Sequence, residues 1–395
     1  MILISTDNGE FFTQERFEEL EREKLKGDNG WLLFAATTSG LELGAQVTRE
    51  YQRLLLEEGG RERVVPNLNE MAVGVDDDLV ERVIRVGGED VTVTDVITRF
   101  EDSETRPRLP ANVAGSYAFV IMPTLDRRPG AFSVNDNLVQ GWQLINTLKV
   151  NSAKRVAGIV PYASYSRQDQ VTPFMREAGT ARWVARMFEA SGADDVVVYH
   201  PHTRALSSFY ESGVRLLQLN GLDLFMDIFQ GFQGDPRAAA IACDAGGAKT
   251  TVYFANAMGG IDLGIISKHR PRREQSEVLG VIGNLSGTDV ALLTDDETVT
   301  FGTILNAVKA LYQEGVRQSY VAISHNKLDA RGEALLRQAH NEYGLVEVHF
   351  TDTIPQSGNL LKEEWVHTHP ITERIVRVAN RMLYDQSVKA LFYTP

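Results

Sequence analysis

The order of elements along the chain predicts an α/β protein of two similar domains, each a parallel sheet flanked by helices. Short apolar runs alternate with amphipathic helical patterns from about Trp31 onward. The alternation comes in two series, which meet near residues 211–236. Polar residues concentrate immediately after the apolar runs, where open α/β sheets place their ligands. At 395 residues the chain is long enough for two cores. The predicted division is a helical extension over 1–29, a first α/β domain over 30–215 and a second over 216–395.

Each element has its own signal. Residues 11–28, FFTQERFEELEREKLKGD, read as a charged, weakly amphipathic helix of the kind that serves as a packing or oligomer-contact arm. The strand WLLFAA precedes a helix through LGAQVTREYQRLLLEEGG, which Gly59 and Gly60 stop. Between 61 and 98, apolar and polar side chains alternate on either side of Gly87-Gly88, predicting short strands or hairpins. YAFVIMP, RVAGIVPY and DDVVVYHP are then strands, with VNDNLVQGWQLINTLKVN and AGTARWVARMFEASG as helices. In the second series AAAIACD, DLGIISK, VALLTDD, QSYVAISH and VEVHFTDT are strands. GGAKTTVYFANAMGG, TILNAVKALYQEG and ARGEALLRQAHNEYG are helices.

Composition narrows the function. A formal charge of -13 argues against holding nucleic acid or anionic lipid by a general field, so a phosphate ligand needs a local site. One cysteine, Cys243, rules out an internal disulfide framework and suits a reducing compartment. No apolar run has the length to span a bilayer, and the first residues lack a secretory pattern. A cytoplasmic enzyme is the expectation.

The polar segments after the strands are PYASYSRQDQ, YHPHTR, CDAGGAK, SKHRPRR, TDDETVTFGT and SHNK. Asp295 and Asp296 can be a helix N-cap and its solvated neighbour. Ahead of TVTFGT they can equally accept hydrogen bonds from vicinal sugar hydroxyls. The turn's N–H groups, with Thr300 and Thr303, would then hold a phosphate. KHRPRR clusters Lys268, Arg270, Arg272 and Arg273, either as a solvated basic loop or as a mobile clamp on a polyphosphate. His200 and His202 flank a proline, a spacing that makes no zinc site by itself. Asp244, followed by Gly246-Gly247, can be one of the one or two protein ligands that magnesium takes. GGAK has the wrong spacing for a Walker A loop.

Together these motifs resemble the phosphoribosyl pyrophosphate synthetases (ribose-phosphate diphosphokinases), a family with the type I phosphoribosyltransferase-like fold. RFEDSE resembles the family's nucleotide loop, PYASYSRQDQ its ATP segment, DAGGAK its metal segment, KHRPR its catalytic loop and TDDETVTFGT its ribose-phosphate loop. The resemblance implies that Phe100, Asp102 and Glu104 contact ATP from a neighbouring subunit, with Arg167, Gln168, Asp169 and His202 also at the ATP site. It implies His202 and Asp244 as magnesium ligands and Lys268 and Arg270 as catalytic residues. Asp295, Asp296, Thr298, Thr300, Phe301, Gly302 and Thr303 become the ribose-phosphate site. The implied partners are ATP, a ribose phosphate and further copies of the chain in a dimer or dimer-based ring, without nucleic acid or membrane.

The chain departs from the family in reading His200-Pro201-His202 where Asp-Leu-His is usual, and in placing Val299 and Phe301 in the phosphate loop. Phe301 either packs into the core, leaving ribose 5-phosphate as acceptor, or offers a stacking surface to a larger acceptor such as ADP-ribose. Phosphoribosyltransferases share the loop but lack the RQD and KHR elements. A non-catalytic regulatory homologue would be expected to lose catalytic-loop residues, and Lys268 and Arg270 are present.

Overall fold

A computed structural model describes residues 31–391 apart from 60–64, 75, 77, 173, 212, 273–274 and 284, together with Phe11, Thr13 and Glu15. Over 268–272 and 275–279, and at 390, the description is of the backbone. The helix expected over 11–28 lies largely outside the described residues. Phe11 itself is buried, edge-on to Tyr51 with ring centroids 5.3 Å apart.

The first unit begins with β1 (Trp31–Ala36) and helix Leu41–Glu57. Two hairpins follow, β2 (Val80–Val86) with β3 (Glu89–Asp95), and β4 (Ile97–Arg99) with β5 (Thr105–Pro107). Gly87 and Gly88 turn the first hairpin at φ 59° and 91°, angles that favour glycine. β6 (Ser116–Ile121), β7 (Arg155–Val160), β8 (Asp195–Tyr199) and β9 (Arg215–Leu219) then complete a sheet in the order β1-β6-β7-β8-β9. Every pair is parallel. All six residues of β6 are buried, as befits a strand covered on both faces. β9, written RLLQL, lies in the stretch expected to join the two series.

The second unit contains β10 (Ala238–Ala242), β11 (Asp262–Arg272), β12 (Gln275–Ile282), β13 (Val290–Thr298), β14 (Gln318–Asn326), β15 (Leu345–Thr351) and β16 (Val366–His369). Their order is β12-β11-β10-β13-β14-β15-β16. The sheet is not wholly parallel as expected, because β12 runs antiparallel to β11. The stretch anticipated as a cationic loop is therefore the outer part of a hairpin, with Lys268 opposite Val278. Strand order reverses between β10 and β13, which makes their carboxyl ends the switch point at which such sheets bind ligands.

The chain divides between Leu219 and Asn220, and helix Thr372–Leu383 belongs to the first unit, not to the second as the 216–395 assignment had it. Its apolar stripe explains this: Ile375, Val376, Ala379 and Met382 share a core with Phe34, Tyr51 and Leu54. Asn380 Nδ2 also donates to the Tyr51 hydroxyl at 2.9 Å. No helix among the described residues is long and apolar enough to cross a membrane.

Candidate active site

The switch point gathers the acids. β10 and β13 are paired with Ile241 opposite Leu293, so Asp244 and the Asp295-Asp296 pair follow on neighbouring strands. Asp244 Oδ1 accepts from the Gly247 N–H at 3.1 Å, a turn that opens helix Ala248–Ala257. Asp295 and Asp296 do not cap a helix. They lie inside β13, because pairing with β14 continues as far as Thr298 opposite Asn326. The Asp296 N–H donates to Asp295 Oδ1 at 2.9 Å. Burial, followed by the charge and hydrogen bonding of Asp296 and the charge of Asp244, holds the Asp295 carboxyl well above the usual carboxylate range. Three carboxylates crowded in this way favour a bound cation and donor hydroxyls.

β13 passes through a tight turn into helix Gly302–Gln313. Phe301 occupies that turn in the left-handed region, φ 58° and ψ 0°, which costs a non-glycine residue about 1–2 kcal/mol. Its ring is only 1% exposed and shares a core with Leu293, Ile304 and Ile323, and this burial offsets the strain. Phe301 therefore offers no stacking surface. Thr298 is also buried, and its hydroxyl accepts from the Phe301 N–H at 3.2 Å, so it braces the turn. Thr300 is exposed, and Gly302 and Thr303 are half-buried. The first N–H groups of the following helix lack acceptors within it and suit an anion.

The turn is supported from behind. Lys327 N–H donates to the Thr298 carbonyl at 2.9 Å and Asp329 N–H to the Val299 carbonyl at 3.1 Å. Lys327 Nζ lies 2.7 Å from Glu297 Oε2, both side chains being almost fully buried. A Cβ on Gly332 would stand 2.5 Å from the Val299 carbonyl oxygen and 2.8 Å from Leu328 Cδ2. Gly332→Ala should push the turn out of place, lowering thermal stability by about 1–3 kcal/mol as overpacking does. If the turn holds the sugar phosphate, KM for that substrate should also rise about tenfold, a loss of about 1.4 kcal/mol. An unchanged melting curve would mean that the helix Ala330–Glu342 does not press on the turn.

In the first unit, the 161–170 segment after β7 is pinned by Thr124, whose hydroxyl donates to the Tyr162 carbonyl at 2.6 Å and lies 2.7 Å from Ser164 Oγ. This pinning presents Arg167 and Gln168 as exposed residues, with Asp169 half-buried. Phe100, Asp102 and Glu104 form the tip of the β4–β5 hairpin, where Asp102 Oδ1 accepts from the Glu104 N–H at 3.1 Å. Phe100 is 41% exposed and lies under the Arg106 guanidinium at 5.0 Å. Both segments abut the start of helix Val134–Val150: Tyr165 bonds Asn135, and Arg99 stacks on Phe132 at 4.8 Å. His202 is exposed beyond the end of β8, just before the Thr203-capped turn. The side chains of Lys268 and Arg270 lie outside the described residues.

The chain is 30% identical over 296 residues to a ribose-phosphate pyrophosphokinase of Hyphomonas neptunium, covering 75% of this chain and 90% of that one. It belongs to the ribose-phosphate pyrophosphokinase family. A ribose-phosphate pyrophosphokinase of Xylella fastidiosa (strain Temecula1) is likewise 30% identical over 297 residues, covering 75% of this chain and 88% of that one. Residues 71–192 match the N-terminal domain of ribose phosphate pyrophosphokinase, a span that includes the hairpin tip and Arg167–Asp169. The fold matches that of phosphoribosylpyrophosphate synthetase from Mycobacterium smegmatis, with a TM-score of 0.69 at 23% identity over 90% of this chain and 99% of that one. The protein is thus an enzyme of the pyrophosphokinase type.

For a ribose-phosphate pyrophosphokinase, the supports of the turn are as informative as its face. Glu297, Lys327 and Gly332 escaped sequence reasoning. The acid run DDE and the lysine after the QSYVAISH strand were visible, but their pairing depends on strand register.

Proposed function

We propose that this chain transfers the β,γ-diphosphate of ATP to the 1-hydroxyl of ribose 5-phosphate and releases AMP. The sugar's 1-oxygen attacks the β-phosphorus, the bond from that phosphorus to the α,β-bridging oxygen breaks, and the hydroxyl proton is lost. The observation that carries this reading is the acid pair of β13 beside a strained, braced turn at the switch point. In this reading Asp295 and Asp296 accept from the 2- and 3-hydroxyls, and the N–H groups of Gly302 and Thr303, with the Thr300 and Thr303 hydroxyls, hold the 5-phosphate. Arg167, Gln168, Asp169 and His202 bind ATP, while Lys268 and Arg270 stabilise the transferring group. Such transfer depends mostly on positioning and charge neutralisation.

Magnesium fits the residues present. Burial, with the neighbouring charges of Asp296 and Asp244, holds the Asp295 carboxyl well above the usual range, and all three residues offer hard oxygen donors. Asp244 would hold the ion, with His202 the weaker donor on hardness grounds. When bound, the ion supplies charge neutralisation at the phosphates. The burial of Phe301 favours ribose 5-phosphate over ADP-ribose as acceptor, since the ring is not available to stack on a second nucleoside. The enzyme works as a homo-oligomer in this reading, with Phe100, Asp102 and Glu104 reaching a neighbouring copy's nucleotide; their place at an exposed hairpin tip supports it.

Incubation with magnesium-ATP and either ribose 5-phosphate or ADP-ribose, following AMP, tests the reading. AMP should accumulate with ribose 5-phosphate. Equal or faster release with ADP-ribose would shift the acceptor, and none with either would leave a non-catalytic homologue. Lys268→Ala should lower kcat about a hundred- to a thousandfold, as loss of a transition-state donor does, while leaving the melting curve unchanged. Turnover near that of the wild type would remove Lys268 from the mechanism.

A further inference from the structure

The second sheet carries another cluster, separated from the β13 acids by β14. β15 and β16 run parallel, with His349 opposite His367 and Thr351 opposite His369. Side chains two residues apart share a face of a strand, so Glu347, His349, His367 and His369 all stand on one face of this sheet edge. Three of the chain's 8 histidines meet here. A single buried histidine is ordinarily a structural hydrogen-bonder; three beside a carboxylate form a ligand set.

The distances support this. His349 Nε2 lies 3.2 Å and His367 Nε2 3.9 Å from the same oxygen, Glu347 Oε2. One ligand atom from each of the three residues lies within 4.8 Å of the others. A tetrahedral zinc ion with nitrogen and oxygen ligands at about 2.0–2.2 Å keeps them about 3.3–3.6 Å apart, so the widest pair has to draw in by about 1 Å through side-chain rotation. The other ring nitrogen of His349 is also engaged: Nδ1 is 3.1 Å from His369 Nε2, the outer hydrogen bond that fixes the tautomer of a ligating imidazole.

The surroundings are those of a built site. The Phe229 ring stands edge-on to His349 at 5.7 Å, walling the inner side with carbon. Glu347 and His367 are 39% and 38% exposed, which leaves a path for an ion from solvent.

We propose that Glu347, His349 and His367 bind one divalent transition-metal ion, zinc by preference, with His369 orienting His349. Imidazole donors select zinc over magnesium, so this site is chemically distinct from the all-oxygen cluster of Asp244, Asp295 and Asp296. The ion would tie the edge strand β16 to β15 and stabilise the second unit.

The test uses untagged, chelator-treated full-length protein, titrated with zinc by calorimetry and with cobalt by its visible spectrum, with magnesium alongside. One zinc should bind per chain, cobalt should develop a tetrahedral spectrum, and excess magnesium should displace neither. His367→Ala and Glu347→Gln, at half-exposed positions that can be changed without disturbing the core, should each weaken zinc binding by at least about tenfold. They should also abolish the zinc-dependent rise in melting temperature. Zinc affinity in both variants equal to wild type would place the ion elsewhere and overturn the proposal, as would wild-type protein that binds no zinc.

Discussion

Asp295→Asn should unfold at a higher temperature than the wild type at neutral pH in chelator, yet lose about ten- to a hundredfold in kcat/KM for the sugar phosphate. The first effect follows from linkage. Burial and the neighbouring acids raise the folded-state pKa of Asp295 above that of the unfolded chain, which is about 3.9. Its stabilising contribution is therefore complete below the unfolded value and is lost as pH rises through the folded one. Wild-type stability should fall across that window, and an amide, which has no proton to lose, should remove this component of the slope. The second effect follows from the hydrogen bonds a carboxylate makes to sugar hydroxyls, each worth about 1.5–3 kcal/mol, or about ten- to a hundredfold in rate. Added magnesium should stabilise the wild type more than the variant. Parallel stability-pH profiles would show that Asp295 carries no strain, and wild-type turnover in Asp295→Asn would exclude it from the sugar site.

Asp195→Ala should cost the first unit about 1–3 kcal/mol, the penalty for leaving the buried Tyr117 hydroxyl without its acceptor, since Arg155 and Arg215 are partly exposed and can turn to water. Asp195 is fully buried at the start of β8. It accepts from the Tyr117 hydroxyl at 2.7 Å, Arg155 Nη2 at 2.8 Å and Arg215 Nε at 2.7 Å. Arg155 also stacks on Tyr117 at 4.9 Å, so removing the carboxylate leaves a buried hydroxyl and a guanidinium without their common acceptor. Because the network sits at the amino end of β8, opposite the end that carries His202, kcat at low temperature should be unaffected. A two-unit chain need not unfold in one step, so the shift should be sought in the transition that exposes the first unit. Asp195→Asn, which retains acceptor capacity, should lose less. A variant as stable as the wild type would show that the Tyr117 hydroxyl finds an equivalent acceptor.

Much of this was legible in the sequence because the covered strands are apolar runs closed by polar or glycine-rich turns. Ala238–Ala242 and Ser116–Ile121 are runs of this kind, too short for helices and bounded by such turns. β16, written VHTH, was not legible, because an edge strand need be apolar on one face at most. The cluster of Glu347 with His349 and His367 was hidden for a different reason. The residues alternate along two separate segments and meet only through the parallel register of β15 and β16.

The sequence by itself determined the alternation of strands and helices, the ordered polar motifs at the strand ends, and hence the family. Those depend on local periodicity and on which residues follow which. Tertiary structure alone decided that Asp295 and Asp296 lie inside a strand, that Phe301 turns inward, and that helix Thr372–Leu383 returns to the first unit. Each of these is settled by a partner far along the chain: the reach of β14, the core beneath the turn, and the apolar stripe facing Tyr51. Burial and pairing between distant segments are properties of the folded chain, and local pattern carries no record of them.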